Sequence, residues 1–454
     1  MQRSEGSSPA DRLGTVVNPA LLLLGFMLAG LVAWSVWRLH LDDKIGFVAI
    51  LVAHAVVFLG GIWLLHRQRS HRHDLLLILG IALLLRCIAI TAPPALTTDA
   101  YRYLWDGRVQ AAGVNPYLYV PADERLAHLR DDSIYPNINR KETYPTIYPP
   151  AAELLFLGAR IFGDSVRAIQ TTMLACELLI MAGILAWLRA DGLPRERILI
   201  YAWHPLPLWE FTGQGHLDAA VVALVVLAIV AAHRGRQILT GVLLAAAVLV
   251  KYPAILFAPA LWRRWRPALP SAMLATATVL YLPYVWGAGL KVIGSLFMHL
   301  DEEGYRDGFG FYLVAMPKHL GWPHFPSLIF AGLAAVTLLA LGLRVLLARS
   351  TDRVDAGGLI LLTSAYFVLI SPHYPWYYAI AVPILCRRMS LGLLFLSLAV
   401  MGHYLDLPAG PLEPYTRIKV FTFMFAGAAL FWLGQCWFSR LPQRAGVTIT
   451  QPGS

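Results

Sequence analysis

Apolar runs alternate with short polar connections from Leu21 to Phe438, and because about 20 apolar residues cross a bilayer, each long run predicts a membrane-spanning helix. The spacing predicts a first span over 20–37 and a second over 45–65. The basic connection His66-Arg67-Gln68-Arg69-Ser70-His71-Arg72-His73 follows and is expected on the cytoplasmic side. A third span then delivers the chain to the longest polar stretch, 93–165. Its Tyr144-Pro145-Thr146-Ile147-Tyr148-Pro149-Pro150 segment cannot form a regular span, since proline removes backbone donors. Over 151–162, Leu154, Leu155, Leu157, Ile161 and Phe162 combine with Glu153 and Arg160 to suit a short helix lying on the membrane surface.

Span four, 166–188, returns to Arg189, Arg195 and Arg197. Span five, 198–209, leads out to Glu210-Phe211-Thr212-Gly213-Gln214-Gly215-His216-Leu217-Asp218, and span six comes back to His233-Arg234-Gly235-Arg236. The next run, 238–262, is basic at both ends, with Arg234 and Arg236 before it and Arg263, Arg264 and Arg266 after it. A single crossing would put one basic end outside. Lys251-Tyr252-Pro253 interrupts this run, so two half-membrane helices meeting at Lys251 are expected. A kinked full span from which Lys251 snorkels to the interface is the other reading.

A seventh span over 268–285 precedes a second outer loop, 287–324. Later spans flank Ser371-Pro372-His373-Tyr374-Pro375-Trp376-Tyr377 and an outer loop with His403, Asp406 and Glu413. The expected protein is all-α, a polytopic bundle of about twelve crossings plus a re-entrant segment, in one integral domain over 1–454 with both termini cytoplasmic. Arg417 and Lys419, at the outer start of the last span, go against the basic-inside pattern. No internal repeat is evident.

Composition agrees, with 58% hydrophobic and 14% charged residues against about 25% charged in soluble domains. The net charge of +10 is divided among short connections, which suits membrane topology better than a nucleic-acid groove. Cys87, Cys176, Cys386 and Cys436 show no paired spacing, so neither disulfide framework nor structural metal is expected. The polar ends, 1–19 and 439–454, read as disordered tails. No cleavage site follows the first polar stretch, so the first span is expected to remain as an anchor.

Candidate chemistry gathers in Thr97 to Tyr117, TTDAYRYLWDGRVQAAGVNPY. On a helix, Asp99, Arg102, Tyr103 and Asp106 share one face. The same spacing equally suits an interfacial helix whose acids and arginines pair with one another. The predicted topology also puts His216, Asp218 and His373 on the outer side and Lys251 within the membrane. Carboxylates there can take a proton, while arginine, lysine and histidine can hold a phosphate. His216 and Asp218 are two apart, poor spacing for paired metal ligands on a helix, and no glycine-rich phosphate loop is present. No metal or cofactor is expected.

The chain resembles the GT-C class of membrane glycosyltransferases, in particular bacterial members of glycosyltransferase family 87 and the polyprenol-phosphomannose-dependent alpha-mannosyltransferases. The motifs are DAYRYLWDGRVQAAGVNPY from Asp99, TIYPP from Thr146, YAWHPLPLWEFTGQGHLDA from Tyr201, LVKYP from Leu249 and SPHYPWY from Ser371. In the last, Tyr374 stands between His373 and Pro-Trp-Tyr, where relatives carry histidine directly before that tripeptide. The resemblance implies a GT-C bundle in the plasma membrane with a large first outer loop. It also implies transfer of a hexose, mannose first, from a polyprenyl-phosphate donor to a lipid-linked or cell-envelope glycan hydroxyl on the outer face, with inversion. Asp99 matches the general base. Arg102, Tyr103, Asp106, Tyr148, His216, Asp218, Lys251 and His373 complete the expected substrate-binding set. The alternative is a transporter or flippase for a lipid-linked glycan, which shares the spans and buried charges.

The topology has a direct check. Single cysteines on a cysteine-free background should be labelled from outside at Ser133 and Ser327, and only after permeabilisation at Ser70. Labelling of Ser70 in intact cells would invert the orientation.

Overall fold

A computed structural model describes residues 17–67, 71–263, 266–293, 300–301, 303–348, 354–406 and 414–440. Most of the two expected tails, residues 294–299 and Glu302 of the second outer loop, Arg264, and Glu413 lie outside the described residues. The regular structure of the described residues is all helical, without strands. Six of its helices are long and apolar enough to cross a membrane: Pro19–His40, Lys44–Arg67, Val166–Ala190, Ala268–Ala288, Ser327–Leu347 and Arg417–Ser439. Leu23, Val52, Leu274, Leu339 and Leu430 stand exposed on their outward faces, a surface suited to lipid rather than water.

The expected count of about twelve crossings meets six full-length helices, or seven if one bent pair is a single span, among the described residues. Proline accounts for part of the difference. The run read as span five breaks into Leu199–Ala202, Pro205–Pro207 and a wide turn of π type over Leu208–Gly213, because Pro205 and Pro207 contribute no amide hydrogens. Pro205–Gly213 then meets Asp218–His233 at 119°. Gly215 makes that corner at φ +81°, and a Cβ there would also crowd Ile169 at 3.1 Å. Asp74–Ala89, Ala356–Ile370 and Leu391–Ala399 are likewise shorter than full spans.

Asp218–His233 is the central element. It is apolar all round and almost wholly buried, as a helix enclosed by others must be. Val166–Ala190 and Gln237–Val248 pack on it, and Ala268–Ala288 packs on the latter. At the other end of the bundle, Pro19–His40 lies against Lys44–Arg67 and Asp74–Ala89.

The break expected at Lys251 is present. Gln237–Val248 ends, Lys251 is extended at φ −155° and ψ 122°, and a 3-10 turn over Tyr252–Phe257 leads into Ala258–Leu261. In a continuous helix the carbonyl of Leu249 would accept from residue 253, but Pro253 has no N–H. That carbonyl accepts instead from the amides of Ala151 (3.0 Å) and Ala152 (3.2 Å). These belong to the first turn of the helix Pro150–Ala159, where amides have no partner of their own.

The start of the long loop is tied to the corner as well. Gln214 accepts from the Leu96 amide (2.9 Å) and donates to the Pro93 carbonyl (3.2 Å), while Gln170 donates to the carbonyls of Ala92 (3.1 Å) and Gly213 (2.6 Å).

The broken segments are also clamped by charge. Arg86 and Glu177 are fully buried, with Nε donating to Oε2 at 2.8 Å. Arg86 Nη1 satisfies the Ala202 carbonyl (2.8 Å), and Thr212 and Tyr201 donate to the Glu177 carboxylate (2.6 and 3.3 Å). Removing one member of a buried pair strands the other charge and costs about 3–5 kcal/mol. Glu177→Ala should therefore lower the thermal midpoint in detergent sharply, and the double replacement Arg86→Met with Glu177→Met should recover part of it. A single variant as stable as wild type would show that the pair is not a clamp.

Candidate active site

Thr98 precedes the helix Asp99–Ala111, which carries the charged face anticipated for this stretch. Arg102 Nε donates to both carboxylate oxygens of Asp106 at 3.0 Å, and Nη1 reaches the Tyr144 carbonyl at 3.3 Å. These two residues are 4% and 2% exposed, so the pair sits under the loop and not in an open cleft. Tyr103 is buried too, stacked on Phe156 (4.6 Å, 9°) and edge-on to the half-buried Tyr148 (5.3 Å). Gly107 permits this close packing, since a Cβ would stand 2.6 Å from the Phe156 carbonyl oxygen. Asp99 is different: it is half-buried, and among the described residues only Oδ1 is hydrogen-bonded, by Asn139 Nδ2 at 2.8 Å.

Beneath Asp106 lies a second acid that the charge pattern did not single out as part of the site. Glu153 is fully buried, accepting from Thr146 Oγ1 (2.5 Å) and from Gln110 Nε2 (2.8 Å). Burial and the neighbouring Asp106 charge push the Glu153 carboxyl well above its usual range, against Thr146 and Arg102. Burial raises Asp106 as well, although Arg102 and a hydrogen bond from Thr146 pull it down. One hydroxyl carries one hydrogen and one guanidinium one charge. Two carboxyls around them are satisfied together when one holds a proton.

Deeper in the bundle, Lys251 Nζ donates to Asp218 Oδ2 at 2.7 Å. Asp218 opens the central helix, where the positive end of the helix dipole favours an anion. The ammonium also stands over the ring of Tyr377 at 4.0 Å and of Trp376 at 6.0 Å. Trp376 is sandwiched between His216 (3.8 Å, 26°) and Tyr374 (4.5 Å, 3°). His216 is fully buried. Its Nδ1 donates to the Glu210 carbonyl at 3.1 Å with the Glu210 carboxylate beside it at 3.1 Å, and Tyr404 donates to that carboxylate at 2.6 Å. The structure thus joins Asp218, Lys251 and His216 into one cluster with Trp376 and Tyr377. The start of the loop helix touches the same corner, since a Cβ on Gly215 would lie 3.8 Å from that of Ala100.

His373 bonds to a different set of groups. Its Nε2 donates to the Gly310 carbonyl (2.8 Å), and Nδ1 faces Glu303 Oε2 (3.1 Å) and Arg417 Nη1 (3.2 Å). Arg417, which ran against the basic-inside pattern, contributes to this contact. Asn139, Glu153, Trp376 and Tyr377 were absent from the expected site set. The SPHYPWY motif signalled the last two, whereas nothing local marks Asn139.

Among the described residues no group of three or more His, Cys, Asp or Glu is arranged to hold a metal ion. An acid able to take a proton, together with a half-buried cation and aromatic faces, suits group transfer to or from an anionic ester. The family model for alpha-(1->6)-mannopyranosyltransferase, N-terminal domain, matches residues 13–266. That is more than half of the 454 residues, and the chain belongs to this family, the MptA_B family: it is a glycosyltransferase of mannose. The matched span contains Asp99, His216, Asp218 and Lys251 but ends before the SPHYPWY motif. No curated protein and no solved structure matches the chain.

The acid pair generates a pH dependence. A carboxyl raised in the folded state stabilises it fully below the ordinary carboxylate range, and that contribution is lost as pH rises through the folded value. Docking of the long loop should therefore weaken toward alkaline pH, read as a falling thermal midpoint. Glu153→Gln can donate to Thr146 and accept from Gln110, so it should flatten that slope. An unchanged slope in this variant would remove Glu153 as its source.

Proposed function

We propose that this protein transfers mannose from a polyprenyl-phosphate donor to a hydroxyl of a lipid-linked or cell-envelope glycan, at the outer face of the plasma membrane. The observation that carries the reading is the contrast within the loop helix: Arg102 and Asp106 neutralise each other in the interior, while Asp99 keeps a half-exposed carboxylate oriented by Asn139. Asp99 takes the proton of the acceptor hydroxyl as its oxygen attacks the anomeric carbon. The bond from that carbon to the phosphate oxygen breaks on the opposite side, so the configuration inverts and the polyprenyl phosphate leaves with the electron pair.

The phosphate is a good leaving group, so one base and a cationic phosphate site suffice, whereas glycosidases use two carboxyl groups across the bond. Lys251 is the cation for that site, with His216 and the Trp376 and Tyr377 rings beside it. A lipid-borne donor enters from the membrane. GT-C architecture with about twelve crossings and cytoplasmic termini completes the reading. The family match favours transfer over flipping of a lipid-linked glycan.

Asp99→Asn preserves size and the bond to Asn139 but cannot take the proton. Turnover should fall by about 10² to 10⁴ with donor binding retained. Asp106→Asn should cost folding or binding more than the chemical step. If Asp99→Asn turns over normally while Asp106→Asn binds donor and does not, the base is Asp106. If both transfer mannose at the wild-type rate, the assignment of a base to this loop fails.

A further inference from the structure

A cavity beside Lys251 has a wall made largely of Val221, Leu256, Phe257 and Ile380, with Asp218 and Lys251 as its charged groups. Thr363 also lines it, from the helix Ala356–Ile370. A threonine inside a helix ordinarily returns its hydroxyl to the carbonyl four residues back. Thr171, Thr172, Thr240, Thr278, Thr337 and Thr422 do so here, at 2.7–3.0 Å. Thr363 does not. It is 3% exposed, and its Oγ1 has no hydrogen-bond partner among the described residues. A buried hydroxyl left in this state is costly, unless a ligand completes it.

The second observation is the charge balance of the same cavity. Lys251 and Asp218 cancel each other, and an anion that takes the hydrogen Lys251 now gives to Asp218 Oδ2 displaces that carboxylate. Asp218 can tolerate displacement better than most acids, because it stands in the first turn of the 16-residue central helix and retains the attraction of that helix end. Lys251 also stands over the Tyr377 ring at 4.0 Å, a contact that does not involve Asp218.

We propose that the Lys251–Asp218 pair is an exchangeable latch of the donor site. The phosphate of a polyprenyl-phosphate sugar takes the Lys251 ammonium from Asp218, accepts a hydrogen bond from Thr363 Oγ1, and lays its first prenyl units along the apolar wall. The proposal rests on the donor reading given above. It adds Thr363 as a phosphate contact and makes Asp218 a competitor of the donor rather than one of its ligands.

The test is binding without turnover. Full-length protein in lipid nanodiscs is titrated with a short-chain polyprenyl monophosphate and with the uncharged polyprenol of the same length. Wild type should prefer the phosphate. Thr363→Val, which keeps the shape and removes the hydroxyl, should weaken phosphate binding roughly tenfold and leave polyprenol binding unchanged, and Thr363→Ser should restore it. Asp218→Asn, by freeing Lys251, should bind the phosphate severalfold more tightly, and Lys251→Met should lose the preference for phosphate.

Wild-type affinity in Thr363→Val removes the hydroxyl contact. Affinity in folded Asp218→Asn equal to or below wild type overturns the exchange. If Asp218→Asn does not fold, the Thr363 series decides. A wild-type protein that shows no preference for phosphate over polyprenol sinks the donor reading itself, which separates that failure from failure of the latch.

Discussion

Pro253 leaves the carbonyl of Leu249 without its helical donor, and the first turn of Pro150–Ala159 leaves two amides without an acceptor. Each defect is the other's solution. In a low-dielectric interior an unpaired backbone group costs several kcal/mol, so this junction holds the end of the long loop against the broken helix that carries Lys251. Gln214 and Gln170 do the same for the start of the loop at the Pro205–Gly213 corner. The site is therefore assembled where helices are interrupted, and backbone groups released by the interruptions bind its parts together.

Charge follows the same rule. Arg86 with Glu177, Arg102 with Asp106 and Lys251 with Asp218 are buried or partly buried pairs, and Glu210 lies against His216. Removing an ion from water is expensive unless its partner comes with it. Asp99, half-exposed and with Oδ1 alone hydrogen-bonded among the described residues, is set apart from these pairs. Glu153, buried beside Asp106, accepts from Thr146 and Gln110, and its burial next to that charge raises its carboxyl above the usual range.

Much of the candidate site was legible because its residues sit in short, unusual strings: Asp99 among arginines and aromatic rings, Lys251 beside a proline inside an apolar run, His216 and Asp218 after a glycine-rich corner. The break at Lys251 follows from Pro253 alone, and helical spacing anticipated the Arg102–Asp106 contact as one of two readings. Run lengths misled on the number of full-length helices. Hydropathy averages over Pro205, Pro207 and Pro375 and so does not register that the hydrogen-bond ladder is interrupted there.

The sequence by itself determined an all-helical chain rich in apolar runs, the places where its helices must break, and the family to which it belongs, since composition, proline position and motif are local properties. Only the tertiary structure decided which charges neutralise one another and which stay half-exposed. Lys251 and Asp218 are 33 residues apart, His373 and Arg417 are 44 apart, and Thr363 reaches the Lys251 cavity from a different helix. Such partnerships depend on how helices pack across the bundle. No spacing along the chain encodes them, because the contacts that settle each charge are made between segments whose separation in sequence is arbitrary.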